Sequence, residues 1–192
     1  MKKLLFIDAC IRGEASRTRR IAKAVLEALE QNYEIETMEL NALELDIVNK
    51  ELTARRSAGN HGEKVRTWAA KIRDADRIVI AAPFWDMSFP AALKVFLELC
   101  SILDITFKTG PTSCYGNCKT EKMLYITTRG MNFPTGHPLE QATPYLKAIC
   151  WLWGIDELQV VAAHNMDYVS PEALEEKIQT AIREGLEIAK DF

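Results

Sequence analysis

The sequence has no long apolar run and no excess of basic charge. No stretch approaches the ~20 consecutive apolar residues of a membrane span, and the run that follows Lys3 is too short for the apolar core of a signal peptide. The 24 lysines and arginines are outnumbered by 27 aspartates and glutamates, which leaves a net charge of −3 and no basic field for nucleic acid or an anionic membrane. These shortages predict a cytoplasmic protein that binds neither nucleic acid nor a membrane.

Cysteine is scarce as well, and the five cysteines present cannot all pair with one another. Their number is odd and three lie in apolar surroundings, so a disulfide framework is not expected. Two of them form the segment Cys114-Tyr-Gly-Asn-Cys118, but zinc needs about four ligands, and nothing in the spacing recruits His137 or His164. We therefore expect no metal, and the pair is either redox-sensitive or two ordinary loop cysteines.

Repeats, low-complexity tracts and linkers are absent, so the 192 residues predict one domain over 1–192. Within it, short apolar runs alternate with segments of helical periodicity. Strands are predicted at 4–7, 34–40, 77–82, 122–128 and 157–163, and helices at 18–29, 63–73, 90–103, 143–153 and from 171 onwards. Acids interleaved in 34–40 indicate an edge strand, residues 41–62 are a mobile connection or hold a short helix, and 106–119 is a predicted loop. This alternation predicts an α/β fold, a doubly wound five-stranded parallel sheet with helices on both faces.

The loop before the first predicted helix combines hydroxyl groups with an unusual number of cations. Four arginines, at positions 12, 17, 19 and 20, accompany a single acid, Glu14. The first turn of a helix carries partial positive charge, so arginine has the wrong sign for it. Cations and hydroxyls there suit an anion held by free main-chain N–H groups. The alternative is an N-capped helix with solvated arginines.

Two further unusual loops follow predicted strands. Segments 8–18, 83–90 and 128–137 all lie at the carboxyl edge of the sheet, where ligands bind in such folds. The second contains four large apolar side chains, which predicts that a flat apolar ligand or a partner chain covers them, unless the loop folds onto its own core. In the third, Gly130 would let the main chain approach a ligand closely. Arg129 either offsets negative charge on that ligand or is an ordinary surface arginine.

These segments resemble a known enzyme family. LLFIDACIRGEASRTRRIAKAV, IVIAAPFWDMSFPAALKVFLELC, ITFKTGP and YITTRGM are together similar to the flavodoxin-like FMN-dependent NADH azoreductases and the related NAD(P)H quinone oxidoreductases. The resemblance covers nearly the whole chain. It implies a flavodoxin-like fold, FMN held noncovalently, NADH or NADPH as the electron donor, and a homodimer with sites at the interface. It also implies ping-pong hydride transfer through flavin N5 to quinones, azo compounds or similar acceptors.

The resemblance also assigns residues to the cofactor. The phosphate end falls to Cys10, Ser16, Arg17 and Thr18, and the ribityl chain and ring edge fall to Pro83, Phe84, Trp85, Asp86 and Met87. The pyrimidine side falls to Thr128, Arg129, Gly130 and Met131, where donors and a cation would stabilise the reduced flavin.

Since the hydride moves through flavin N5, no catalytic side chain is required. His137 is a weak candidate for a proton donor, and a solvated loop histidine is the alternative. Asp86 stands where these azoreductases often have asparagine, and an ionised acid there would lower the flavin potential. Met131 replaces a common second glycine.

Two other functions remain open from the sequence. A hydrolase similar to the low-molecular-weight tyrosine phosphatases also places a cysteine loop after its first strand, but it needs five residues between cysteine and arginine. Here Arg17 follows Cys10 after six residues and Arg12 follows after one. The other alternative is a flavodoxin-fold electron carrier that turns over no substrate.

Overall fold

The computed structural model describes all residues, 1–192. Five parallel strands form one sheet in the order β2-β1-β3-β6-β7, which confirms the predicted doubly wound fold. They are β1 (Lys2–Asp8), β2 (Tyr33–Glu39), β3 (Arg77–Ala81), β6 (Lys122–Thr128) and β7 (Glu157–Ala163). Strands β4 (Phe107–Thr109) and β5 (Cys114–Gly116) form a separate antiparallel pair. The predicted edge position of β2 is confirmed.

Six helices cover the two faces of the sheet. They are α1 (Arg17–Leu29), α2 (Lys50–Ser57), α3 (Glu63–Asp74), α4 (Ala91–Cys100), α5 (Ala142–Trp153) and α6 (Pro171–Ala189). Successive side chains of a strand point to opposite faces, so each buried strand contributes to two cores. Leu4 and Phe6 pack in the core with α1 and α6, whereas Leu5 and Ile7 pack in the core with α3, α4 and α5. Parallel strands buried on both faces explain the uninterrupted apolar runs in the sequence.

Two connecting regions contain structure that the sequence left open or assigned to a loop. The region 41–62 contains α2, which begins where the side chain of Asn49 accepts a hydrogen bond from Leu52 N. The predicted loop 106–119 is wrong in part, because it contains the β4–β5 hairpin. A Cβ on Gly116 would lie 2.0 Å from Gly154 N, so the hairpin rests main chain to main chain on the end of α5.

The helix predicted at 90–103 ends three residues early, at Cys100. Thr106 explains this end, because its hydroxyl donates to Cys100 O and accepts from Ile102 N. Asp104 then takes a positive φ of 65°. The predicted glycine end of α5 is confirmed, since Gly154 is left-handed with φ 78°. None of the helices combines the length and apolar character needed to cross a membrane.

Candidate functional site

Four loops meet at the carboxyl edge of the sheet. The chain runs from β1 outward to β2 and then returns to place β3 on the other side of β1, so the strand order switches between β1 and β3. Such a switch opens a crevice beyond the strand ends. Hydrogen bonds continue past the strands and fix the loops, from Ala9 N to Ala81 O (2.9 Å), Phe84 N to Thr128 O (3.0 Å) and Arg129 N to Ala163 O (2.8 Å). The three loops predicted to lie together therefore do so, joined by a fourth after β7.

The first loop presents free donors at the start of α1. A short 3₁₀ turn, Gly13–Ala15, leads into Ser16, the N-cap of the helix, whose hydroxyl accepts from Arg19 N at 3.3 Å. The N–H groups of Arg17 and Thr18 donate to no acceptor within the chain. Unpaired N–H groups at a helix start form a site for an anion.

The hydroxyl of Thr18 is engaged elsewhere. It lies 2.7 Å from the hydroxyl of Thr128, and the two residues are 0% and 6% exposed. This contact joins the first loop to the end of β6 from inside the protein. Of the polar groups of Thr18, only the main-chain N–H is therefore left without a partner in the chain.

Acids elsewhere in the fold pair with three of the four arginines of this loop. Arg17 donates to Met166 O (3.2 Å) and Asp167 Oδ1 (2.8 Å), in the loop after β7. Arg19 contacts the buried Asp8 at 3.1 Å, with Glu39 at 3.4 Å, and Arg20 pairs with Glu175 of α6. Most of these arginines are therefore held in ion pairs, so they are neither freely solvated nor free to bind an anion.

The second loop forms a tight two-residue turn. Trp85 and Ser88 exchange main-chain hydrogen bonds of 3.0 and 2.8 Å, and both intervening residues have positive φ, 46° at Asp86 and 68° at Met87. This is the pattern of a type I′ hairpin turn. Trp85 and Met87 remain 44% and 39% exposed. The carboxylate of Asp86 is exposed and forms no hydrogen bond or ion pair within the chain.

The other large side chains of this loop turn inward. Phe84 and Phe89 are buried, and Pro83 is half-buried. Phe84 meets Phe133 edge-on at 6.4 Å, and Phe89 meets Tyr145 at 5.4 Å. Half of the large apolar side chains of this loop thus cover its own core, and the other half are exposed.

In the third loop, the side chain of Arg129 is buried. Its guanidinium donates to Phe133 O (2.9 Å) and Thr135 Oγ1 (3.2 Å) and lies 3.8 Å from the equally buried Glu140 carboxylate. Burial lowers the pKa of Arg129, and the charge of Glu140 opposes that shift. The guanidinium therefore holds the loop together from within.

The main chain that follows Arg129 has two unpaired donors. The N–H groups of Gly130 and Met131 have no acceptor within the chain, and Met131 is half-buried. These donors are the groups of the third loop that remain available to a ligand.

The fourth loop, 164–170, is the part of the site that sequence reasoning missed. Asn165 N donates to Met131 O (2.9 Å) and Asp167 N donates to Gly130 O (3.1 Å). A Cβ on Gly130 would lie 2.0 Å from Asp167 Oδ2, so this glycine allows the carboxylate to approach the main chain. A signal was present, because Asn165 and Asp167 follow the carboxyl end of a predicted strand as the other loops do.

Comparison with known proteins identifies the family. A family model described as the flavodoxin-like fold matches residues 2–188. The chain belongs to the flavodoxin-like family. Relatives of this flavodoxin-like protein include the FMN-dependent NADH:quinone oxidoreductase of Clostridium perfringens, 30% identical over 200 residues, and FMN-dependent NADH:quinone oxidoreductase 2 of Clostridium acetobutylicum, 31% identical over 201 residues. Both alignments cover 100% of each chain.

Solved structures share the fold of the flavodoxin-like protein. An azoreductase from Bacillus anthracis superimposes with a TM-score of 0.88 at 21% identity, covering 100% of both chains. An FMN-dependent NADH-azoreductase from the same species, solved in complex with FMN, superimposes with a TM-score of 0.85 at 24% identity and covers 100% of this chain and 99% of that one.

Cys10 does not have the properties of a nucleophile in the flavodoxin-like protein. Its side chain is fully buried, its N–H donates to Asp8 Oδ1 (2.9 Å), and its thiol lies 3.6 Å from Ala81 O. Burial foremost, and then the charge of Asp8, raise the pKa of Cys10 to about 12. A thiol that stays protonated at neutral pH does not attack phosphorus. This pKa and the six-residue spacing disfavour the phosphatase alternative.

The remaining candidates have partners of their own. His137 stacks on Phe133 with ring centroids 4.3 Å apart, and its Nδ1 accepts a hydrogen bond from Leu139 N. One of its two ring nitrogens is therefore already engaged. All five cysteines of the flavodoxin-like protein are free thiols, and burial raises the pKa of Cys118 to about 12. No group of three or more His, Cys, Asp or Glu side chains is arranged to hold a metal ion.

Proposed function

We propose that the protein is an FMN-dependent NADH oxidoreductase that reduces quinones, azo compounds or similar acceptors. The observation that carries this proposal is the full-length relationship to FMN-dependent NADH:quinone oxidoreductases at 30–31% identity. Unpaired main-chain N–H groups at the start of α1 and after Arg129 support the proposal, because they could bind the phosphate and the pyrimidine side of a flavin. NADH is the proposed donor because the relatives' names specify it.

The residues of the crevice fit FMN. Its phosphate is assigned to the free N–H groups of Arg17 and Thr18 together with the hydroxyl of Ser16, a setting suited to a dianion. The flat ring is assigned to the exposed faces of Trp85 and Met87.

FMN, when bound, supplies hydride acceptance and donation at its N5. The chain's part is to hold negative charge on the reduced pyrimidine side, through the N–H groups of Gly130 and Met131. Arg129 contributes by fixing that loop, since its guanidinium is bonded to Phe133 and Thr135. Cys10 is a small buried residue beneath the phosphate loop.

The test is flavin uptake followed by turnover. The protein is incubated with equal FMN and FAD, the bound flavin is released and separated by chromatography, and NADH consumption is followed with a quinone. We expect FMN alone, because the chain has one phosphate loop and no second nucleotide fingerprint. Uptake of FAD only, or of no flavin, would overturn the proposal. Bound FMN without NADH-dependent quinone reduction would instead favour an electron carrier.

The active form is proposed to be a homodimer. Phe84, Phe89 and Trp153 are buried in the protomer and supply no interface surface. Trp85 and Trp151, 44% and 65% exposed, are left as the aromatic support for this proposal. Light scattering at micromolar concentration tests it, and an active monomer would contradict it. A cytoplasmic location is likewise proposed, because five free thiols suit a reducing compartment.

A further inference from the structure

The turn after β3 holds one acid at the mouth of the crevice. Trp85 and Ser88 exchange two main-chain hydrogen bonds, and Met87 O accepts a third from Gln141 N at 2.9 Å. The tip is therefore fixed both within itself and to the start of α5. Asp86 occupies the first central position of the turn, between the exposed side chains of Trp85 and Met87.

The charge of Asp86 is not neutralised by the chain. Its carboxylate is exposed and has no hydrogen bond and no ion pair. Among the arginines of the adjoining loops, only Arg12 lacks a partner within the chain. Arg17 is paired with Asp167, and Arg129 is bonded within its own loop beside Glu140. The turn itself thus combines two exposed apolar side chains with a negative charge that no cation pairs with.

We propose that Asp86 makes the acceptor site selective for flat aromatic molecules that carry a positive charge. This inference rests on the proposed function, because it names the class of acceptor at that same site. Asp86 lies between Trp85 and Met87, the side chains assigned to the flavin ring, so an acceptor that stacks against the flavin comes close to its carboxylate. The carboxylate attracts a cationic substituent and repels an anionic one, and an uncharged acceptor experiences neither effect.

The experiment compares naphthoquinones that share one ring and differ in a trimethylammonium, a sulfonate or no charged substituent. Asp86→Asn is the test variant, since asparagine has nearly the same shape and tolerates the positive φ of this position. Asp104→Asn is the matched control, because Asp104 is also an exposed acid with positive φ, at 65°, but lies beyond α4 outside the crevice. Both variants change the net charge by the same amount.

The measured quantity is the ratio of kcat/KM for the cationic quinone to kcat/KM for the anionic one. This ratio cancels any effect of the substitution that is common to both acceptors, such as a changed flavin potential. We expect the ratio to fall roughly tenfold in Asp86→Asn, from the interaction of unit charges several ångströms apart near a surface, and to stay unchanged in Asp104→Asn. An unchanged ratio in Asp86→Asn would overturn the inference.

Two readouts keep the inference falsifiable if the variant folds poorly or the enzyme is inactive. In the unaltered holoprotein, raising the salt from 20 to 500 mM should compress the ratio toward one, because the charge is exposed. Equilibrium dialysis with redox-inert naphthyltrimethylammonium and naphthalenesulfonate should show tighter binding of the cation. Equal binding of the two ions contradicts the selectivity. Absence of reduction of the uncharged quinone, with selective binding retained, contradicts the proposed function alone.

Discussion

The hydroxyl pair of Thr18 and Thr128 provides a sharp test of how the crevice is built. The two oxygens are 2.7 Å apart, and both residues are almost completely removed from solvent. Thr18→Val keeps the shape but leaves the hydroxyl of Thr128 buried without a partner, which costs about 2 kcal/mol. Thr128→Val should cost the same. The double variant replaces both hydroxyls, so its stability should return to within about 0.5 kcal/mol of the unaltered protein.

The assay is thermal and urea unfolding of the flavin-free protein at one fixed concentration. For a chain of this size, about 2 kcal/mol corresponds to a fall in Tm of about 4–8 °C in each single variant, and the double variant should recover most of it. The deciding quantity is the coupling free energy, the difference between the loss in the double variant and the sum of the two single losses. If the two losses simply add, to about 4 kcal/mol in the double variant, the two hydroxyls are not hydrogen-bonded to each other. Thr18→Val should also weaken FMN binding less than Ser16→Ala, whose effect we expect to be about tenfold.

Three further substitutions test other contacts of the site. Gly130→Ala would place a Cβ 2.0 Å from Asp167 Oδ2, so the affinity for FMN should fall, and adding Asp167→Ala should partly restore it. An FMN titration that is unchanged in Gly130→Ala would show that the carboxylate does not constrain this loop. Glu140→Gln leaves the buried charge of Arg129 without its acid and should cost about 3 kcal/mol in urea unfolding, whereas a loss below ~1 kcal/mol would show that the pair is not needed. Cys10→Ser should keep FMN binding and show no aryl-phosphate hydrolysis. Because the pKa of Cys10 is raised to about 12, its thiolate fraction is negligible at pH 8 and grows only as the pH nears that value, so rapid alkylation of Cys10 in the native protein at pH 8 would contradict its burial.

The sheet could be predicted from the sequence because burial on both faces leaves a plain signal. Strand β6 was placed at its observed ends, and β1 and β3 lay within one or two residues of theirs. The β4–β5 hairpin could not be predicted in the same way. Its strands have three residues each, too few for a period to show, and its position depends on the approach of Gly116 to Gly154, which are far apart in the sequence.

The meeting of the three loops could also be predicted, since it requires only that loops after parallel strands share one edge. What the loops do internally could not, because side-chain partners distant in sequence decide it. Arg129 reads as a ligand-binding cation until Glu140 and Thr135 are seen to enclose it. The sequence suggests the hydroxyl of Thr18 as a phosphate ligand, but that hydroxyl lies beside Thr128, and only the main-chain N–H of Thr18 has no partner. The loop after β7 was missed because its residues act on the neighbouring loops and have no motif of their own.

The left-handed conformation of Met87 implies a compromise between stability and activity. Type I′ turns strongly prefer glycine at this position, and a residue with a side chain pays roughly 1 kcal/mol to adopt φ 68°. Met87→Gly should therefore relax the turn and raise the unfolding temperature, at the expense of a thioether at the crevice mouth. The fold tolerates this strain because two hydrogen bonds across the turn and one to α5 hold it in place. If Met87 contacts the flavin ring as proposed, we expect Met87→Gly to combine a higher unfolding temperature with weaker FMN binding.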